Sequence, residues 1–166
     1  MEKTKSEKIL DELCQNIGGE WLLIGGTLIQ LQYDGERSTE DIDLVHISHA
    51  EKSKESLQNE LFRFVQRCWG IGPEHINLSA EFFVHELAGW QAELVPLKDG
   101  PKGRIFQPSL TLLIALKARR GSELDLQDIQ TAIKKQGLRA LDETKLERWV
   151  PETKLKQLKK LLGLSC

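Results

Sequence analysis

The apolar run Trp21-Leu22-Leu23-Ile24 enters a glycine pair, Gly25-Gly26-Thr27, and about a dozen residues later two aspartates, Asp41 and Asp43, open a second apolar run. This combination constrains the chain more than any other feature. The first run reads as a buried strand and the glycines as a tight turn. Residues i and i+2 of a strand point to the same side, so Asp41 and Asp43 face one way, roughly 7 Å apart, with Ile42 and Leu44 facing a core. Two carboxylates that close repel and raise a pKa unless a cation lies between them. Converging oxygen ligands are what Mg²⁺ takes, usually together with substrate phosphates. A glycine pair lets backbone N–H groups approach those phosphates with no Cβ in the way.

The arrangement resembles the nucleotidyltransferase superfamily of the DNA polymerase beta type, whose mark is a Gly-Gly-Ser/Thr turn followed by Asp-x-Asp on the next strand. Here the marks are Gly25-Gly26-Thr27 and Asp41-Ile42-Asp43, and the Arg37-x-Thr39-x-Asp41 lead-in is similar to the small bacterial branch, which includes abortive-infection and toxin-like members. The resemblance is good over residues 20–47 and weaker over 90–130. It implies a metal-dependent transfer of a nucleoside monophosphate from a nucleoside triphosphate to a hydroxyl on RNA, protein or a small molecule. Asp41 and Asp43 would hold Mg²⁺ or Mn²⁺, and Gly25, Gly26 and Thr27 would cradle the phosphates. The family takes a third acid from a later strand. The candidate is Glu93, either as third metal ligand and catalytic acid or as a solvated edge-strand residue. Arg37 either anchors the loop before Asp41 or touches a phosphate. Lys117 is a candidate triphosphate contact on a helix followed by Asp125-x-x-Asp128, whose acids are expected to cap that helix or pair with Arg119 or Arg120.

The rest of the composition sets limits. At 166 residues, 40% hydrophobic and 29% charged, the chain has the make-up of an ordinary globular protein. A net charge of −2 gives no basic field that would advertise nucleic acid. No run reaches the length of a membrane span, and the first residues lack a signal-peptide core. Cys14, Cys68 and Cys166 are odd in number and widely spaced, which suits a reducing cytoplasm: buried thiols at the first two, a loose one at the end. His46, His49, His75 and His85 do not form a ligand set by spacing.

Along the chain, the patterning predicts an α/β core over 1–107 and an all-helical segment over 108–166, together one small mixed sheet flanked by helices. Thr4 with Glu7 reads as a capping box for a helix ending at Gly18-Gly19. Strands are expected at 20–24, 41–47, 90–97 and 104–106, with helices at 27–33 and 50–69, the latter capped by Ser48 with Glu51. Residues 75–88 are ambiguous. Ser109, Asp142 and Pro151 each read as helix starts, and a further helix covers 124–136. The lysines at 154, 156, 159 and 160 read as a solvated helix face. Two other functional readings stay open: a non-catalytic nucleotide- or partner-binding module, and the toxin of a toxin–antitoxin pair with an antitoxin-like protein partner.

Overall fold

An apolar run as dense as residues 21–24 can be buried only where helices cover both faces of a sheet, and it forms the central strand of five. The computed structural model describes residues 1–48 and 52–165. In chain order the elements are α1 (Lys3–Asn16), β1 (Gly19–Ile24), α2 (Gly25–Gln32), β2 (Ile42–Ser48), α3 (Lys54–Trp69), β3 (Ile76–Asn77), α4 (Glu81–His85), β4 (Leu94–Asp99) and β5 (Gly103–Pro108). Four helices follow: α5 (Leu110–Arg120), α6 (Glu123–Gln136), α7 (Glu143–Trp149) and α8 (Glu152–Leu162). The sheet order is β3-β2-β1-β5-β4, with β1 antiparallel to β2 and parallel to β5, β2 parallel to β3, and β4 antiparallel to β5. This is the mixed α/β architecture that the patterning predicts.

Packing explains most boundaries. Ile9, Leu10, Leu13 and Cys14 of α1 are buried, and burial pushes the Cys14 thiol up to about 11, so it is an inert core group. The predicted capping box at Thr4 is absent: α1 already begins at Lys3, with Glu2 as a cap that makes no side-chain bond. On α3, Leu57, Leu61, Phe64 and Val65 face inward as expected, but Cys68 is exposed. That helix starts at Lys54, where Ser53 accepts from the Ser56 N–H, and not near residue 50; Glu51 of the predicted box, His49 and Cys166 lie outside the described residues.

The predicted strand at 90–97 is shifted. Residues Trp90–Glu93 form a 3₁₀ turn after Gly89, because the Trp90 ring is buried and stacks on His85 with centroids 5.2 Å apart. Pairing therefore begins at Leu94, and β4 is an edge strand that tolerates Pro96. The ambiguous 75–88 segment contains β3 and α4. Two paired residues are too few for periodicity to reveal a strand.

Helix α5 is buried nearly all round, with Leu112, Leu113, Ile114 and Ala115 inaccessible or almost so. It touches β5, α6, α7 and α8, while α6 reaches back to α2. The α5–α6 turn is held by charge. Ser122 and Asp125 form a reciprocal capping box, and Arg120 Nε donates to Asp125 Oδ2 at 2.7 Å. Burial alone would raise the Asp125 pKa. The bonds from Arg120 and Ser122, and the charges of Arg120 and Lys117, outweigh it and hold the carboxyl at about 2. A depressed folded-state pKa contributes stability above the unfolded carboxyl value, and that contribution is lost as pH falls from there toward 2. We expect Asp125→Ala to cost about 3–5 kcal/mol, because three donor residues, Lys117, Arg120 and Ser122, two of them cations, lose a buried partner. Urea unfolding at neutral pH checks this, and the gap to wild type should narrow as the pH is lowered below about 4.

Candidate active site

Asp43 enters the site through its strand pairing. It lies opposite Ile24 on β1 and opposite Asn77 on β3, so three backbone segments fix its Cα. Gly25 follows Ile24 with φ +75, and a Cβ there would come within 1.8 Å of Asp43 Oδ2. Only glycine lets the α2 N-terminus and this carboxylate share the space. No side chain caps α2, so its first-turn N–H groups remain directed at whatever binds there.

The two aspartates project from one face of the sheet. Asn77 Nδ2 donates to Asp43 Oδ1 at 2.7 Å, and His75 Nδ1 lies 3.3 Å from Asp41 Oδ1. The contacts repeat with the two-residue period of paired strands, as the Asp-x-Asp spacing predicts. The Asn77 amide is itself fixed, since its Oδ1 accepts from the Ser79 N–H at 3.0 Å and from the Ser79 hydroxyl. Thr27 and Thr39 hydroxyls both donate to the Asp41 carbonyl, at 2.8 and 3.3 Å, which pins the entry to β2. Thr27 is fully buried, so its hydroxyl serves the loop and does not face a ligand.

Beside Asp43 opens a cleft of about 380 Å³. Gly25, Asp43 and Asn77 form one wall, and Lys117 and Arg120 of α5 line it as well. Lys117 is buried and bonded to Asp128 Oδ2 at 2.7 Å and to Asp125 Oδ1 at 3.5 Å. Arg37 Nη2 reaches the same Asp128 oxygen at 3.2 Å. To do so it passes over Gly26, where a Cβ would meet that guanidinium at 2.9 Å and Thr39 Oγ1 at 3.1 Å. Gly26 and Arg37 thus lie together in the loop before Asp41. Asp125 pairs with Arg120, while Asp128 pairs with Lys117 and Arg37; Arg119 instead pairs with Glu86.

Glu93 does not join the aspartates. Its carboxylate accepts from Lys145 of α7 and from the Ser109 hydroxyl. It closes the Trp90–Glu93 turn and does not line the cleft. Among the described residues no three His, Cys, Asp or Glu side chains group as a metal site, so the expected Asp41–Asp43–Glu93 triad is not assembled. The alternation argument fails because Glu93 precedes the strand and is not within it. What faces Asp43 from the neighbouring strand is the Asn77 amide, which strand parity could not find without knowing that β3 pairs with β2. Of the α8 lysines, Lys156 and Lys160 are exposed as the solvated-face reading expects, whereas Lys154 and Lys159 are partly covered; Lys156 pairs with Glu152 and Lys159 with Glu147. Among the described residues no helix is long and apolar enough to cross a membrane.

Burial raises the Asp43 pKa first; the Asn77 bond lowers it, the Asp41 charge raises it again, and Arg120 and Lys117 lower it, with a net rise. A raised folded-state carboxyl favours the fold below its unfolded pKa and withdraws that contribution as pH climbs through the folded value. The ionised form is therefore under strain at neutral pH. We expect metal-free Asp43→Asn to melt higher than wild type near pH 7, by about 2–4 °C per kcal/mol relieved, with the gap closing below about pH 4. Calorimetric melting across pH checks this; an unchanged or lower Tm at pH 7 would contradict it.

A comparison with curated proteins finds no match. Among solved structures, the chain is similar to an antigenic nucleotidyltransferase-like protein from Paracoccidioides brasiliensis, at 19% identity over 99% of this chain and 92% of that one, with a TM-score of 0.47. A family model described as nucleotidyl transferase AbiEii toxin, type IV toxin–antitoxin system, matches residues 8–102, which is more than half of the chain and includes the glycine turn and both aspartates. The chain belongs to the AbiEii nucleotidyl transferase toxin family.

Proposed function

We propose that this protein transfers a nucleoside monophosphate from a nucleoside triphosphate to a hydroxyl acceptor, with a divalent cation held by Asp41 and Asp43. The observation that carries the reading is one cleft with Asp43 and the uncapped start of α2 on one wall and the cations Lys117 and Arg120 also lining it. The donor set fits a hard dication: two carboxylates on one face, one of them half-exposed and the other held protonation-prone by burial and by its neighbour's charge. Bound there, Mg²⁺ or Mn²⁺ would supply neutralisation of phosphate charge and activation of the acceptor hydroxyl.

The protein's own groups account for positioning. The acceptor oxygen bonds to the α-phosphorus as the bond to pyrophosphate breaks. Lys117 has three N–H donors and spends two on Asp128 and Asp125, leaving one for a phosphate oxygen. Arg120 holds Asp125 through Nε and Nη2, which leaves Nη1 for the triphosphate. Gly25 N–H groups a phosphate at the start of α2. Gly26, Thr27 and Arg37 act one layer back, keeping the loop in shape. In this reading 1–107 is the core that carries the aspartates, and 108–166 is a packed helical segment that carries the cations. The family description supports a role as the toxin of a type IV system, opposed by an antitoxin. The acceptor is RNA, protein or a small molecule.

One observation favours a second reading, nucleotide binding without transfer: the position facing Asp43 holds an amide and not a third carboxylate. A single experiment separates the two. The protein is incubated with each nucleoside triphosphate labelled at the α-phosphate, Mg²⁺ or Mn²⁺, and total RNA or cell lysate. We expect label transfer by wild type and loss of nearly all of it in Asp43→Asn. Glu93→Gln should retain transfer, since Glu93 is tied to Lys145. Asn77→Ala should lower transfer by about 10–100-fold, the usual effect of removing a group that orients a ligand carboxylate. Metal-dependent nucleotide binding with no transferred label from wild type would move the conclusion to the binding module.

A further inference from the structure

The cleft that holds these charged groups also has an apolar lining. Ala80, Phe83, Val84, Leu116 and Pro151 contribute to it. Phe83 is 59% exposed although it belongs to a short helix whose neighbouring Val84 is fully buried. An aromatic ring left in water, in a cleft that also holds charged side chains, forgoes apolar burial that the fold could have recovered. The helix that carries it is firmly based: Val84 and Leu87 are inaccessible, the Trp90 ring stacks on His85, and Trp149 Nε1 donates to the Ala88 carbonyl at 3.0 Å. Phe82 meets Phe83 edge-to-face with centroids 5.8 Å apart, which restricts the ring further. Phe83 is thus a held, solvent-facing π-surface in the cleft that also carries Asp43, Lys117 and Arg120.

We propose that Phe83 is the stacking platform for the base of the bound nucleoside triphosphate, a subsite that rests on the nucleotidyltransferase reading above. The charged part of the lining takes phosphates and cation, and the apolar part takes the one portion of a nucleotide that has a flat apolar face. Stacking on an aromatic ring tolerates any base, because every base has a π-face. Choice among bases therefore falls to the edge contacts available from Ser79, Glu86 and Arg119, which line the same cleft.

The test is isothermal calorimetry with Mg²⁺ and each of the four ribonucleoside triphosphates, with inorganic tripolyphosphate as the base-free probe, on wild type, Phe83→Ala, Phe83→Leu and Phe83→Tyr. The exposed ring contributes little to the core, so all variants should melt as wild type does. We expect Phe83→Ala and Phe83→Leu to bind the preferred nucleotide at least about ten-fold more weakly. Tripolyphosphate affinity should be unchanged, and Phe83→Tyr should bind as wild type does. Undiminished nucleotide binding by Phe83→Ala overturns the proposal. So does an equal loss for nucleotide and tripolyphosphate, which would mark the ring as structural. If wild type binds tripolyphosphate but no nucleotide, the nucleotidyltransferase reading itself falls, and the base subsite with it; that result is distinct from a silent Phe83 variant.

Discussion

A chain of alternating charges runs through the interior: Arg37, Asp128, Lys117, Asp125, Arg120. The site depends on it. Its three central members are almost wholly withdrawn from water. None could be buried alone, since an unpaired interior charge is costly enough to neutralise or unfold. Each is tolerated because the next has the opposite sign. The chain has one more cation than anion, and the surplus lies along the cleft beside Asp43. The same pairs tie the loop before β2 to α5 and α6, so the geometry of the aspartates and that of the cations cannot vary independently.

Asp43 is the counterweight. Its carboxylate sits in a space that burial makes inhospitable to charge, next to a second carboxylate. The fold accepts this with one fixed amide donor, Asn77, and with distant help from Arg120 and Lys117. Such local expense is common where a group must bind something later. Gly25 has the complementary role: it removes the one atom that would fill the space beside Oδ2.

Much of this was legible in the residues. The glycine turn, the Asp-x-Asp pair, the order of the first two strands and the helical character after residue 108 all follow from local rules, and the pairing of Asp125 with Arg120 follows from spacing and sign, whereas Asp128 finds its partners in Lys117 and the distant Arg37. The misreadings share one cause. Glu93 was placed by alternation inside a strand, but the buried Trp90 ring curls that segment into a 3₁₀ turn, and Lys145, 52 residues on, claims the carboxylate. Asn77 was invisible because β3 is two residues long and acquires meaning only through its register with β2. Phe83 gave no signal because its neighbour Val84, not its own hydrophobicity, decides which side of a five-residue helix meets solvent. Local chemistry writes the motif; partners distant in sequence decide which side chains reach it.

The bond between Arg37 and Asp128 spans 91 residues, and that span bears on when the site exists at all. Contacts so far apart form late, after loop closure has been met by other packing. During synthesis the glycine turn and both aspartates are made well before α5 and α6, and until those helices dock, the acidic face has no cations across from it. An incomplete or clipped chain therefore displays the motif without Lys117 and Arg120 beside it.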